Sequence, residues 1–559
     1  MALIPGEWED EHAQSTRQGA LCLTTLLPPP PPLSTVERLE ALRESARRVF
    51  FLLTMEYSRG TLAVAEAERR LTSFVNSLYM SQVPRISSVL RMPSTVVVTP
   101  HYNEAIIYSQ EFLVTANASG VTPMVYLKSI HLLEFEHALE RLGVSNEAEA
   151  WGAQRDALGR PVSGELEMRL WASMRGQTLA RTVRGIMQSA RAIRLLATLQ
   201  LEVEYSLLDA AKPPGVARLS QQEIEDDAAN AAAWFTRERF SYVIAAQRYG
   251  EHGDDDVRRR VDLDHLLLVH PLLSVAYWES GVSALTGRRR TLACIRNGLN
   301  GVTARLPCPG NPIVDGIGEG KPENGNVAQT FARGRILQAI DMNQSADFES
   351  TLLLPHALSM LLPRGVLGSD GASAPATFTA ASGRPLVLLG LREHIFTHVL
   401  SSPALMIAEQ EKLFGTMWQR LMASPFRVRL HYGHPDLCDR VWLSTRGGTA
   451  KASSTVNVSE DVFAGLTALL RGGESGHAEF ICFGKGRDVG MLQILGFESK
   501  ISGGTAISGT TRDNFRAAAS VDFARLLSLY HTGIGFFIYN VAITMSIMIT
   551  LCEGKSRRP

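Results

Sequence analysis

At 559 residues the chain is long enough to bury a large core and to hold more than one lobe. Lys plus Arg and Asp plus Glu both total 56, which excludes the global basic excess of a nucleic-acid binder. A 45% hydrophobic content fits a globular chain, and six scattered cysteines with no C-x-x-C pair argue for reduced thiols and against a cysteine metal site.

Residues 1–20 are too polar to supply the apolar core of a secretory signal. Residues 1–35 read as a flexible arm in which Pro28 to Pro32 form a stiff polyproline stretch. Residues 36–92 are predicted helical. Ser94–Thr99 is short, β-branched and ended by Pro100, the pattern of a buried strand. Residues 125–245 read as mostly helical. The charged run 250–260 reads as a solvated surface loop, and Arg288–Arg290 as surface. Further strands are expected at Ile336–Ile340, Leu386–Leu389 and Phe480–Phe483, with a small polar surface insertion over 366–384. Strands alternating with helices predict an α/β core, over 93–530, with any active groups beyond the carboxyl ends of the strands. The uncharged run 533–552 is just long enough to span a bilayer, and Lys555, Arg557 and Arg558 follow it. A spanning or interfacial helix is the expectation there.

Ser459-Glu460-Asp461 opens the run SEDVFAGLTALLRGG. Val462, Leu466 and Leu469 recur at helical spacing, with Phe463 and Leu470 beside them. Ser459 suits an N-cap and Gly472-Gly473 a stop. The helix dipole favours ionised acids in the first turn. A carboxylate held there is suited to take a proton from a hydroxyl. An ordinary helix with N-terminal acids is the alternative reading of the same residues.

The neighbouring segments are RLHYGHPDLCDR (429–440), STRGGTAKAS (444–453) and FGKGRDVG (483–490). Upstream come VVVTPHYNE (96–104), RLWASMRGQTLARTVRG (169–185), GEGKPENGN (318–326), AIDMNQ (339–344) and LREHIF (391–396). Together and in this order they resemble the catalytic region of the 1,3-β-glucan synthases, the plant callose synthases and fungal cell-wall glucan synthases of glycosyltransferase family 48. The resemblance runs from about Arg69 to about Phe536. It implies a GT-A-like α/β core with extensive helical additions. It also implies inverting transfer of glucose from UDP-glucose to the 3-hydroxyl of a growing β-glucan chain. An inverting synthase of another polymer, a non-catalytic paralogue acting as a binding or regulatory protein, and a soluble sugar-nucleotide binder are the rival readings.

Residue by residue, the resemblance makes Asp461 the candidate base, with Glu460 as runner-up. Asp341 and Asn343 stand where GT-A enzymes keep an Asp-x-Asp pair. Asp341 is thus the candidate ligand of a divalent cation such as Mg2+, the one candidate cofactor. Thr99, Tyr102 and Glu104 resemble a nucleotide-binding loop, with His101 structural. Lys321 and Asn324 lie in an expected Gly- and Asn-rich loop suited to a diphosphate. Arg487, with Lys485, is the candidate grip on the leaving diphosphate. His431, His434 and Asp436, with Arg446 and Lys451, belong to an acceptor-binding or structural loop. Trp171 and the arginines around it read as a basic helix packed on the core. Gly325, Val327 and Ser345 depart from the family's usual Gln, His and Asp. The resemblance further implies UDP-glucose, the glucan chain and a membrane as partners. A small GTPase subunit is also a candidate partner. It places the protein at the plasma membrane, its catalytic region facing the cytosol. Family members carry membrane helices on both sides of that region, so a fragment of a longer chain and a reduced paralogue both stay open.

Overall fold

The structure, a computed structural model, describes residues 86–556 except 87, 118–119, 251–252, 283–286, 288, 299, 309–320, 362–383, 398–401, 424–425, 430–434, 447–459 and 488–489. The expected arm at 1–35, nearly all of the 36–92 segment and nearly all of the 366–384 insertion lie outside the described residues.

Ten strands form a single sheet among the described residues: β1 (Thr95–His101), β2 (Phe240–Ala246), β3 (Leu273–Val282), β4 (Arg289–Asn297), β5 (Gly301–Cys308), β6 (Ile336–Ala339), β7 (Gln344–Ala346), β8 (Leu386–Thr397), β9 (Leu437–Asp439) and β10 (Glu474–Arg487). Their order is β5-β4-β3-β2-β1-β6-β9-β8-β10-β7. β1 is parallel to β2 and β6, β2 to β3, and β8 to β10. β9 runs antiparallel to both β6 and β8, so β8 points the same way as β6. The carboxyl ends of β1, β2, β6, β8 and β10 therefore meet along one edge.

Alternate side chains of each strand enter different cores, the mark of a sheet covered on both faces. Val97, Tyr242, Ile244, Ile336 and Leu437 join one core. On that face lie α1 (Leu179–Ala210), α2 (Gln221–Arg239) and α3 (Asp254–Val269), contributing residues such as Val183, Phe235 and Leu263. Val96, Val98, Val243, Leu337 and Cys438 join the other core, covered by α4 (Lys321–Thr330). Further along the chain are α5 (Leu354–Leu361), α6 (Ser402–Lys412), a π-helical turn (Leu413–Trp418), α7 (Glu460–Leu470), α8 (Met491–Gly509), α9 (Arg512–Ser520), α10 (Phe523–Thr532) and α11 (Ile534–Ser556). Ala464 and Ala468 of α7 join the Val96 core. A small helical lobe over 110–173 has its own core, built around Phe135, Met168 and Trp171.

This is the α/β architecture with helical additions expected from the sequence, and several local expectations are corrected. Phe240–Ala246 is a strand within the stretch expected to be helical. Its Phe, Tyr, Val and Ile are strand formers, and pairing with β1 and β3 decides the matter. Most of the expected 250–260 loop is helix instead: α3 starts at Asp254, with three acids in its first turn complementing the helix dipole. Asp256 is buried between Arg248 at 3.0 Å and Arg259 at 3.1 Å. Arg289 and Arg290 open β4, while the expected surface position of their side chains lies outside the described residues. α4 begins at Lys321, so the second half of the expected GEGKPENGN loop is helical. β8 and β10 run well beyond the expected cores of four residues because they pair with each other along their length.

α7 ends as its sequence predicts. Gly472 has φ +85°, its N–H donates to Leu469 C=O at 3.1 Å, and Gly473 N–H donates to Ala468 C=O at 2.9 Å. This is a Schellman stop, which requires a residue at ease in the left-handed region. Ile534–Glu553 within α11 is long and apolar enough to cross a bilayer, and almost none of it is buried.

Candidate active site

A cleft of about 1390 Å³ opens beyond the carboxyl ends of the parallel strands. Open α/β sheets hold their ligands at this position. β1 delivers Pro100, His101, Tyr102 and Glu104 to its wall. The chain turns sharply there: Tyr102 N–H donates to Glu104 Oε2 at 2.9 Å, and His101 Nε2 lies 2.9 Å from the Glu104 carbonyl. His101 is buried, and burial holds its pKa below the usual histidine range. The turn leaves the Tyr102 ring half exposed, with the Arg248 guanidinium 5.8 Å from its centre.

β6 delivers Asp341. Its N–H donates to Gln344 Oε1 at 2.9 Å, and Gln344 N–H donates back to the Asp341 carbonyl at 3.0 Å. α1 clamps this turn from below. The Thr182 hydroxyl donates to the Met342 carbonyl, and Gly185 approaches so closely that a Cβ there would lie 2.7 Å from Ser345 Oγ. Asn343 Nδ2 donates to the Gly486 carbonyl at 2.7 Å, while Asn343 Oδ1 is enclosed without a hydrogen-bond partner. The donors available to a cation here are one carboxylate and one enclosed amide oxygen. Hard divalent cations take six or more oxygens. No group of three His, Cys, Asp or Glu residues suited to a metal occurs among the described residues. These side chains do not by themselves make a cation cage.

β10 delivers Lys485 and Arg487. Lys485 is almost fully buried, its Nζ 3.1 Å from Glu393 Oε1 of β8 and 3.9 Å from Glu411 Oε2 of α6. Arg487 reaches Glu411 Oε1 at 2.5 Å and lies 4.5 Å above the Phe497 ring of α8. Glu393 also accepts from Gln344 Nε2 at 2.8 Å, tying β8, and through Lys485 β10, to the Asp341 turn.

α7 presents Glu460 and Asp461 to the cleft from its first turn. Asp461 Oδ1 accepts from Val462 N–H at 2.9 Å, one of the open donors at the helix start. The lining also includes an apolar group, Phe414, Trp418, Phe497, Phe523 and Phe536. Trp418 and Phe536 meet edge to face with centroids 5.6 Å apart. The cleft is thus charged at the strand ends and aromatic towards the carboxyl-terminal helices.

The structure gathers Tyr102, Glu104, Asn324, Asp341, Asn343, Glu460, Asp461, Lys485 and Arg487 around this one space. Four of these side chains are engaged with backbone: Glu104, Asn343 and Asp461 as above, and Asn324 through Nδ2 to the Ala245 carbonyl at 2.5 Å. Thr99 is buried away from the cleft, its hydroxyl 2.8 Å from Tyr242 Oη. Asp436 is fully buried and grips Arg429 with both oxygens, at 2.5 and 2.7 Å. Arg446 lies off the cleft, its guanidinium 4.4 Å from the Trp442 ring. The side chain of Lys321, and all of His431, His434 and Lys451, lie outside the described residues. None of Gly325, Val327 and Ser345 lines the cleft.

Three further charged residues at the site escape sequence reasoning. Glu393 lies in the quoted LREHIF segment, where a charge in an apolar strand is a signal of sorts. Arg429 opens RLHYGHPD and lines the cleft. Glu411, in α6, carries no local signal at all.

A sheet covered on both faces, with a large charged and aromatic cleft at its strand ends, defines an α/β protein with a ligand site at that edge. Residues 62–553 match the family described as 1,3-beta-glucan synthase component, and the chain belongs to that family. It is similar to callose synthase 3 of Arabidopsis thaliana, 37% identical over 531 residues, covering 92% of this chain and 26% of the relative. With callose synthase 5 of the same plant it shares 37% identity over 515 residues, covering 90% of this chain and 25% of the relative. The chain spans about a quarter of the length of the curated relatives it matches. Among solved structures, the mannosyltransferase PcManGT from Pyrobaculum calidifontis, in complex with GDP-Man and Mn2+, aligns with a TM-score of 0.29 and 13% identity, covering 66% of this chain and 95% of that one. A likeness at that level assigns no role to any residue here.

Proposed function

We propose that this chain is a 1,3-β-glucan synthase catalytic region that binds UDP-glucose in the cleft and lengthens a β-glucan by inverting transfer. The observation that carries the reading is the convergence of Asp461, Asp341, Lys485, Arg487 and Tyr102 on one space. In the proposed step the acceptor 3-hydroxyl oxygen attacks the anomeric carbon from the face opposite the diphosphate. The new C–O bond forms as the bond to the β-phosphate oxygen breaks. The hydroxyl proton passes to the Asp461 carboxylate, and the electron pair leaves with UDP. Arg487 and Lys485 stabilise the charge that develops on the diphosphate. Tyr102 offers an aromatic face to the uracil, and Asp341 an acceptor to the ribose. The aromatic wall suits the apolar faces of sugar rings, and places the growing chain on that side. No step is routed through a cation. α11 attaches the region to a membrane, with the cleft on the cytosolic side.

The test is UDP release and polymer formation by membranes containing the chain, supplied with UDP-glucose and compared with Asp461→Asn. A polymer digested by a 1,3-β-specific glucanase and missing in the variant is the expected result. Wild-type polymer from the variant would overturn the role of Asp461, and absence of both UDP binding and polymer in the wild type would overturn the reading itself.

A further inference from the structure

Lys485 and Arg487 face two carboxylates, Glu393 and Glu411, in a nearly dry cluster. Four charges that sum to zero are tolerable there; an unbalanced one is costly. A diphosphate brought to Lys485 and Arg487 adds negative charge beside both carboxylates, and beside Asp341, Glu460 and Asp461 on the same walls. One carboxylate must therefore give way.

The two are held very differently. Glu393 stands on β8, accepts from Gln344 Nε2 at 2.8 Å and lies 3.1 Å from Lys485. A Cβ on Gly415 would sit 2.5 Å from Glu393 Oε2, so the π-helical turn closes directly over that carboxylate. Glu411 lines the cleft itself, at the end of α6, immediately before that turn. It holds Arg487 at 2.5 Å and Lys485 only distantly, at 3.9 Å. π-helical turns are irregular and recur at functional sites.

We infer that Glu411 is a positioning residue that occupies the Arg487 fork as an internal counter-anion, yields it to the nucleoside diphosphate, and returns to it as the diphosphate leaves. This rests on the placement of the diphosphate at Arg487 given above. Glu393 is the fixed anchor that keeps Lys485 in place throughout. In this arrangement Glu411 competes with product, so it weakens binding of free UDP and speeds its release.

The experiment is UDP binding to the full chain by calorimetry, and UDP inhibition of turnover, for wild type, Glu411→Gln and Arg487→Ala. Glu411→Gln is expected to bind UDP about tenfold more tightly, because a like charge is removed from beside the ligand. It should also lower kcat through slow release, with the single-turnover rate preserved. A purely structural role predicts the reverse, weaker UDP binding and a raised KM. UDP affinity unchanged or reduced in a folded Glu411→Gln protein overturns the inference. If that variant does not fold, Glu411→Asp, which withdraws the carboxylate by one methylene, should shift UDP affinity the same way to a smaller extent. Failure of Glu411→Asp to tighten UDP would then overturn it. Arg487→Ala separates the two readings. If it binds UDP as wild type does, the diphosphate is not at Arg487 and the proposed function is misplaced. If it binds more weakly while the Glu411 variants do not tighten, the counter-anion inference alone fails.

Discussion

Asn343 and Gly486 are joined by a reciprocal pair of hydrogen bonds. Gly486 N–H donates to the Asn343 carbonyl at 2.8 Å, and Asn343 Nδ2 donates to the Gly486 carbonyl at 2.7 Å. The pair ties the turn that carries Asp341 to the strand that carries Lys485 and Arg487. The ribose side and the diphosphate side of the proposed donor site are therefore one rigid unit.

Gly486→Ala tests that unit. A Cβ at 486 would lie 2.8 Å from Gln177 Cγ and 3.0 Å from the Phe396 ring, so either those side chains, of which Gln177 lines the cleft, or β10 itself must shift. An ångström-scale displacement of positioned groups costs about 100-fold in rate. The expected outcome is kcat lowered by about 10- to 100-fold, with thermal unfolding close to wild type. Turnover and melting of the same preparation check it.

Glu460 and Asp461 share the first turn of α7, and Glu460 is the more buried of the two. Asp461→Asn should lower kcat by about 10²- to 10⁴-fold, the usual worth of a general base, while UDP affinity stays within about twofold. Glu460→Gln should retain far more turnover. Single-turnover rates for both variants distinguish them, and the reverse ranking would move the base to Glu460.

Asp436→Asn leaves the Arg429 charge buried without its carboxylate. Arg429 Nη1 has no hydrogen-bond partner even in the intact protein. Breaking a buried pair on one side costs about 3–5 kcal/mol. Loss of folded protein, read by denaturant unfolding, is the expected outcome. The double change Arg429→Met with Asp436→Leu should restore much of the stability, since both charges then leave together. It should not restore turnover, because Arg429 lines the cleft.

His477 sets an acid limit on stability. Both ring nitrogens are enclosed without partners. Burial first, then Arg429, Arg420 and Arg392, hold its pKa well below the ordinary 6.5. The folded protein keeps the ring neutral, whereas the unfolded chain takes up a proton below about pH 6.5. The contribution is complete above that pH and is lost as pH falls towards the folded value, at up to about 1.4 kcal/mol per pH unit. The melting temperature should fall from pH 7 to pH 5.5, and His477→Leu should flatten part of that slope. His101, His131 and His270, also shifted down chiefly by burial, keep the rest of it.

Sequence alone determined the local and the ancestral features of this protein. Helix α7, from its apolar spacing to the stop at Gly472-Gly473, is written in short-range preferences, and so are the strands at β1 and β6. The ordered motifs carried the family. Tertiary structure decided which of those residues meet. Thr99 and Asp436 are polar residues inside motifs, yet both are buried, Thr99 turned by its strand position towards Tyr242 Oη and Asp436, just before β9, paired with Arg429. Glu411 and Glu393 reach the diphosphate-binding residues only because β8 pairs with β10 and α6 docks beside them. Capping, propensity and periodicity act over a few residues. The balance of charge inside the cleft depends on contacts between segments far apart in the chain, and no local pattern encodes it.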